Sequence, residues 1–201
     1  ALEKPLDIKA SKEVFIPAIP HTVRKVGSKS VELPHALRIL VPGEIDARVT
    51  VSVFSTDGSF IPAGLEGKVV KSGSVATLEL NPNLPASKFG VRVSSDEPIV
   101  ASVFSQTISE GKSDFIWSTA AAELSQSNFS IAGLAPQLIF IGVKVKVGLE
   151  LLFNNGKRKT VRVNGEDIAA VKIPDGVRSI SIIEAGTGIY GAGLIATKSG
   201  Y

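Results

Sequence analysis

Polar and apolar side chains alternate along most of this chain. In "ARVTVSVFS" (residues 47–55), Val49, Val51 and Val53 fall on one face of an extended strand, and Arg48, Thr50, Ser52 and Phe54 on the other. The "TDGS" that follows is a turn signal, because the glycine of Asp57-Gly58 tolerates positive φ. The same period, rich in β-branched residues, predicts strands over 68–71, 75–80, 90–94, 99–107, 114–118, 128–132, 138–145, 147–153, 160–163, 168–173, 178–183 and 189–197. In this reading Pro98 divides the strands at 90–94 and 99–107, with Asp96 capping the loop between them. Before residue 40, "EVFIPAIPHTV" and "SVELP" read as short strands punctuated by proline, which places them at sheet edges. The one helix-friendly stretch, "STAAAELSQ", is too brief to change the class.

The strands repeat. "IVASVFSQT" (99–107) aligns without a gap to "IYGAGLIAT" (189–197), and "VRVSSDE" to "ISIIEAG". "GSVATLEL" matches "GEDIAAVKI" with one insertion, and "VSVFSTDG" matches "LELLFNNG" with a turn at the same place. A spacing near ninety residues is too long for a solenoid, whose units run to about 20–50 residues. It suits an all-β chain of two tandem Ig-like antiparallel β-sandwich modules. The expected division is an extended segment at 1–37 that lends edge strands, a first module at 38–125 and a second at 126–201.

The repeat also disposes of a glycine motif. Gly186, Gly188 and Gly191 form G-x-G-x-x-G, which in a dinucleotide-binding unit follows a strand and opens a helix. Here the residues that follow read as a strand, and the aligned strand at 99–107 has no glycines. Gly186 and Gly188 are expected to turn a hairpin, with Gly191 and Gly193 relieving crowding on the strand.

Composition narrows the functional classes. An apolar fraction of 44% excludes disorder, and no uninterrupted apolar run approaches the roughly 20 residues of a membrane helix. Any membrane association is expected to come through a region outside this chain. There is no Met, and the polar opening "ALEKPLDIKASKE" lacks the apolar centre of a signal peptide. A cleaved signal, a removed anchor or an excised segment would each leave such a start. The absence of Cys removes disulfides, thiolate metal sites and a Cys nucleophile, without fixing the compartment. A net charge of +3 with scattered basic residues gives no nucleic-acid stripe; the one run, Lys157-Arg158-Lys159, reads as a solvated hairpin tip.

Candidate chemistry is sparse. His21 and His35 sit beside prolines in "IPHT" and "LPHA" and are expected at surface or edge positions. No zinc spacing and no G-x-S-x-G elbow accompanies them. Glu44 with Asp46, Asp96 with Glu97, and Glu166 with Asp167 are carboxylate pairs in loops, where charge serves solvation. No D-x-D-x-D-G loop supports calcium. Asn128 heads an N-x-S sequon, which matters only in a eukaryotic secretory route. No catalytic residue, metal or cofactor is expected. Trp117 in "SDFIWSTAAAEL" is the conspicuous residue. A lone Trp beside Phe115 normally belongs to the core; exposed, it would offer a sugar platform, with Asp114 as the hydrogen-bond acceptor.

These stretches resemble a known family. "RILVPGEIDARVTVSVFSTDG", "VRVSSDEPIVASVFSQ" and "SDFIWSTAAAEL" are similar to the domain of unknown function DUF5719 of actinobacterial envelope proteins. Val41, Pro42, Gly43, Asp57, Gly58, Ser95, Asp96, Pro98, Val100, Ala101, Asp114, Phe115, Trp117 and Ala120 stand at the positions that carry the pattern. The likeness is good over 38–124; beyond, the P-G turn and the S-D-x-P signature are missing. It implies an extracytoplasmic protein, secreted or anchored, and carries over no activity. The expected function is thus a non-catalytic structural or binding module of the bacterial cell envelope, whose loop ends contact a protein or a glycan. The second reading is a carbohydrate-binding module for wall-polymer assembly, requiring exposure of Trp117 or Tyr190. The third, a hydrolase, requires Glu44 or Asp96 in a pocket beside a second acid.

Overall fold

A computed structural model describes residues 9–20, 22–26, 29–82, 84, 88–109, 112–131 and 134–195. The architecture is all-β, with seventeen strands and no helix among the described residues. Its central element is β9 (Phe89–Ser109), 21 residues long. The first part of β9 lies between β1 (Ser11–Ile19) and β5 (Ala47–Ser55), and the second between β4 (His35–Leu40) and β10 (Lys112–Thr119), all antiparallel. β5 carries β6 (Gly58–Phe60) and β7 (Lys68–Val70) on its other edge, and β4 carries β8 (Val75–Leu80). A hairpin of β2 (Val23–Val26) and β3 (Lys29–Glu32) touches β9 at Ile108.

Pro98 does not divide β9. Ser95 is the last residue opposite β5 and Val100 the first opposite β4, so the strand changes partners over 96–99. No ladder bond to either strand is required there, and the missing proline N–H costs nothing. Asp96 ties the crossing to β5 by accepting a hydrogen bond from the Arg48 backbone N–H at 2.7 Å, and does not cap a loop of its own. Val49, Val51 and Val53 of β5, Leu37 and Ile39 of β4, and Val91, Val93, Ile99, Ala101 and Val103 of β9 are buried in one cluster. The alternation seen in sequence therefore fills the space between two sheets.

The second half follows the same plan. β13 (Val145–Phe153) lies between β14 (Arg158–Gly165) and β16 (Val177–Ala185), with β11 (Ser127–Ser130) beyond β16. Facing them is a sheet ordered β15 (Ile168–Lys172), β12 (Gln137–Ile141), β17 (Tyr190–Leu194). Strands aligned in sequence have corresponding partners: β5 on the first part of β9 and β13 on β16, then β8-β4-β9 and β15-β12-β17. This order fits a pair of related sandwiches. Two expectations are corrected. The break between β12 and β13 falls at Gly142–Lys144, where Gly142 and Lys144 take φ of 151° and 56°; alternation runs on through "IGVKVKV" and hides it. The turn at Gly186–Gly188 makes no hairpin, because β16 and β17 belong to different sheets.

β1 is an edge strand by pairing, as its proline foretold, yet it is buried by packing. Its ladder with β9 is irregular between Ile16 and Ile19, around Pro17. There Ala18 turns toward Ile139 of β12 and Leu194 of β17, in a small cluster joined by Ile116 of β10. Phe15 stacks on Tyr190 with ring centroids 3.7 Å apart. A Cβ on Gly90 would come within 2.7 Å of the Ile141 side chain, so the two halves meet closely here.

The last-strand glycines can be tested. A Cβ on Gly191 would lie 2.7 Å from the buried Phe140 ring, whereas one on Gly193 would sit 3.4 Å from Leu138. In urea unfolding, Gly191→Ala is expected to lose about 1–3 kcal/mol, and Gly193→Ala to stay within about 0.5 kcal/mol of the parent. Equal effects would contradict the assigned register.

Candidate functional site

Parity along β9 and β10 decides what each face displays. In the second part of β9, Ile99, Ala101 and Val103 are buried in the core, so the alternate residues Ser102, Phe104 and Gln106 point outward. Across the ladders Trp117 stands opposite Phe104 and Phe115 opposite Gln106, while Ser102 faces both Thr119 and Arg38. Phe104, Phe115 and Trp117 therefore share the outer face, with Arg38 and Gln106 at its margins. The Phe104 ring is 5.1 Å from Trp117 and 5.8 Å from Phe115, and the Arg38 guanidinium lies 5.0 Å over the indole. A cation over an exposed ring contributes roughly 0.5–1 kcal/mol, enough to favour one indole orientation.

Trp117 is thus not a core residue. It is 38% exposed and Phe115 is 59% exposed. Ile116 and Ser118 take the inward positions: Ile116 packs at the junction, and the Ser118 hydroxyl donates to the Ala18 carbonyl at 2.6 Å. Asp114 shares their parity and faces away from the rings, its carboxylate accepting from the Phe115 N–H at 2.9 Å. The structure does not bring Trp117 and Asp114 together as a sugar subsite. Trp117 is flanked instead by Phe104 and Arg38, neighbours that become visible only once β9 and β4 are placed in register.

The other candidates serve the fold. His35 is buried rather than at the surface, with Nδ1 2.7 Å from the Ser105 hydroxyl and its ring edge-on to Phe89. His21 lies outside the described residues. Asp46 accepts hydrogen bonds from the Lys71 ammonium and the Ser72 N–H, which hold its carboxyl below the usual range, and Asp46 in turn raises the Lys71 ammonium. The backbone carbonyls of Glu166 and Asp167 accept from Lys144 and Gly142 and so brace the 142–144 turn. Among the described residues no three His, Asp or Glu side chains converge on a possible metal position. Lys157, Arg158 and Lys159 are exposed at the β13–β14 turn, where Arg158 pairs with Glu150. Tyr190, the other aromatic residue with a possible sugar-binding role, is half-buried against Phe15. Burial, then the charges of Glu123 and Glu13, push its phenol up.

Two spectroscopic outcomes follow. Emission from Trp117, the one Trp, is expected to be quenched readily by acrylamide and to lie toward the red; blue, protected emission would contradict its exposure. In an alkaline absorbance titration one of the two tyrosines should ionise late, and Tyr190→Phe should remove that step. Because the folded-state pKa is raised, the associated stability is full below the ordinary value of 10.0 and is lost as pH rises through the folded value.

Comparison with known proteins adds the family. No curated protein matches the chain. A solved structure from Thermotoga maritima, "Crystal Structure of Thermotoga maritima 1070", aligns with a TM-score of 0.46 at 13% identity, covering 55% of this chain and 93% of that one. The model of DUF5719, a family of unknown function, matches residues 8–173. The match starts before β1 and runs past β15, so it takes in much more than the 38–124 stretch that carries the resemblance in sequence. The chain belongs to the DUF5719 family.

Proposed function

We propose that this chain is a non-catalytic binding module acting outside the cytoplasm at a bacterial envelope, and that the outer face of β9 and β10 is its contact surface. The outward ring row Phe104–Phe115–Trp117, in which Phe115 and Trp117 are exposed and Phe104 is half-buried, carries the reading. Large aromatic side chains on a solvent-facing sheet gain nothing from the chain's own core, and such a patch marks a recognition surface. Its place differs from the loop ends expected of a sandwich. The extracytoplasmic location rests on what the family resemblance implies.

A wall glycan is the ligand class this face fits best. The apolar faces of sugar rings stack on aromatic planes, while Arg38 and Gln106 can hydrogen-bond hydroxyls at the margin. Titration with soluble wall polysaccharide is expected to shift Trp117 emission saturably. By calorimetry, Phe115→Ala and Trp117→Ala should each weaken binding about tenfold, the equivalent of about 1.4 kcal/mol. The Phe115→Ala midpoint should stay close to the parent, since that side chain is 59% exposed, whereas Trp117→Ala is expected to lose some stability with its Arg38 and Phe104 contacts. Unmoved emission across wall polysaccharides, with unaltered affinity in both variants, would remove the glycan reading.

A further inference from the structure

The two halves differ at one edge. In the first, the second part of β9 has β4 on one side and β10 on the other. β10 and the segment after it also tie this side of the sandwich to β1, through the Ser118–Ala18 hydrogen bond and the Ala121 N–H donated to the Phe15 carbonyl at 2.9 Å. In the second half the aligned strand is β17, and β12 occupies one of its edges. The other edge is engaged only at its first residue, where Glu123 bridges Tyr190. Among the described residues no strand stands there opposite Gly191–Leu194.

Beside this edge, between β17 and β11, the sandwich opens into a groove of about 390 Å³. Phe129, Ile131, Leu134, Leu138, Phe140 and Ile182 are among its walls, and no charged residue lines it. Leu134, on the rim, is 51% exposed. The edge itself, Tyr190-Gly191-Ala192-Gly193-Leu194, has none of the lysines, prolines or inward charges that normally block strand addition. Its small side chains let another backbone approach.

We propose that the open edge of β17 and the adjoining groove receive an extended strand donated by a partner protein. The strand runs antiparallel to β17, occupies the position that β10 holds on β9, and seats uncharged apolar side chains at alternate positions in the groove. Backbone hydrogen bonds supply the attachment and the groove selects the alternate residues, as in other strand additions. A second copy pairing through its own β17 is a poorer donor, because the inward positions of that strand are Gly191 and Gly193, which would leave the groove unfilled. This surface is separate from the ring face of β9 and β10.

The test uses the intact chain and a synthetic peptide of alternating Val and Thr flanked by Lys. The peptide is expected to bind saturably, to slow amide exchange at Gly191–Leu194 at least tenfold, and to leave Trp117 emission unchanged. N-methylation at alternate peptide amides should abolish binding, and Leu134→Asp, on an exposed side chain, should weaken it at least tenfold. The proposal is overturned by exchange at 191–194 that is indifferent to the peptide, or by amides already as slow as those of β12 in the free protein. Equal binding of the N-methylated peptide, or sedimentation showing that these edges pair with one another in a dimer, would overturn it as well.

Discussion

A strand that belongs to two sheets must turn the same parity toward the core in both, and β9 meets that constraint. Val91 and Val93 before the crossing at 96–99, Ile99 at its end, and Ala101 and Val103 beyond it are all buried at odd positions. The partners change, yet the parity does not. The even positions are thereby committed to the outside, which sends Phe104 outward and, through the β9–β10 ladder, Trp117 with it. The aromatic face is a consequence of how the core is built, since shifting β9 by one residue would bury the rings and expose the valines.

The same logic explains the junction. A bulge around Pro17 re-aims one residue of an edge strand, and here it turns Ala18 out of the first core and into contact with Ile139 and Leu194. Phe15, of the opposite parity to Val14 and Ile16, stacks on Tyr190. The N-terminal strand so belongs to the first sandwich by hydrogen bonding and touches the second by packing. Its edge is protected from strand addition by that cover, whereas the edge of β17 has no such protection among the described residues.

Much of this was legible in the alternation. It placed β5, β8, β15 and β16 closely, because alternate residues of each face a core and the others face solvent. It also held the location of His35: in "HALRIL" the histidine shares parity with Leu37 and Ile39, a stronger signal than the neighbouring proline. Alternation failed where both parities are apolar. In "DFIWS", Phe115, Ile116 and Trp117 are consecutive, so the pattern shows two faces without saying which is the core. Pro98 misled for another reason. A proline breaks a strand only where its N–H is wanted, and partner exchange is a property of the sheet that no local window contains. The edge left open on β17 is likewise invisible until both halves are paired.

The central claim is that β9 is one strand serving two sheets. Native-state hydrogen exchange across a denaturant series tests it most directly, by comparing backbone amides in 91–95 with those in 100–104. If the strand is continuous, the slow amides of both parts converge on a single opening free energy and lose protection together. Separate opening free energies for the two parts, with independent loss of protection on either side of Pro98, would contradict it.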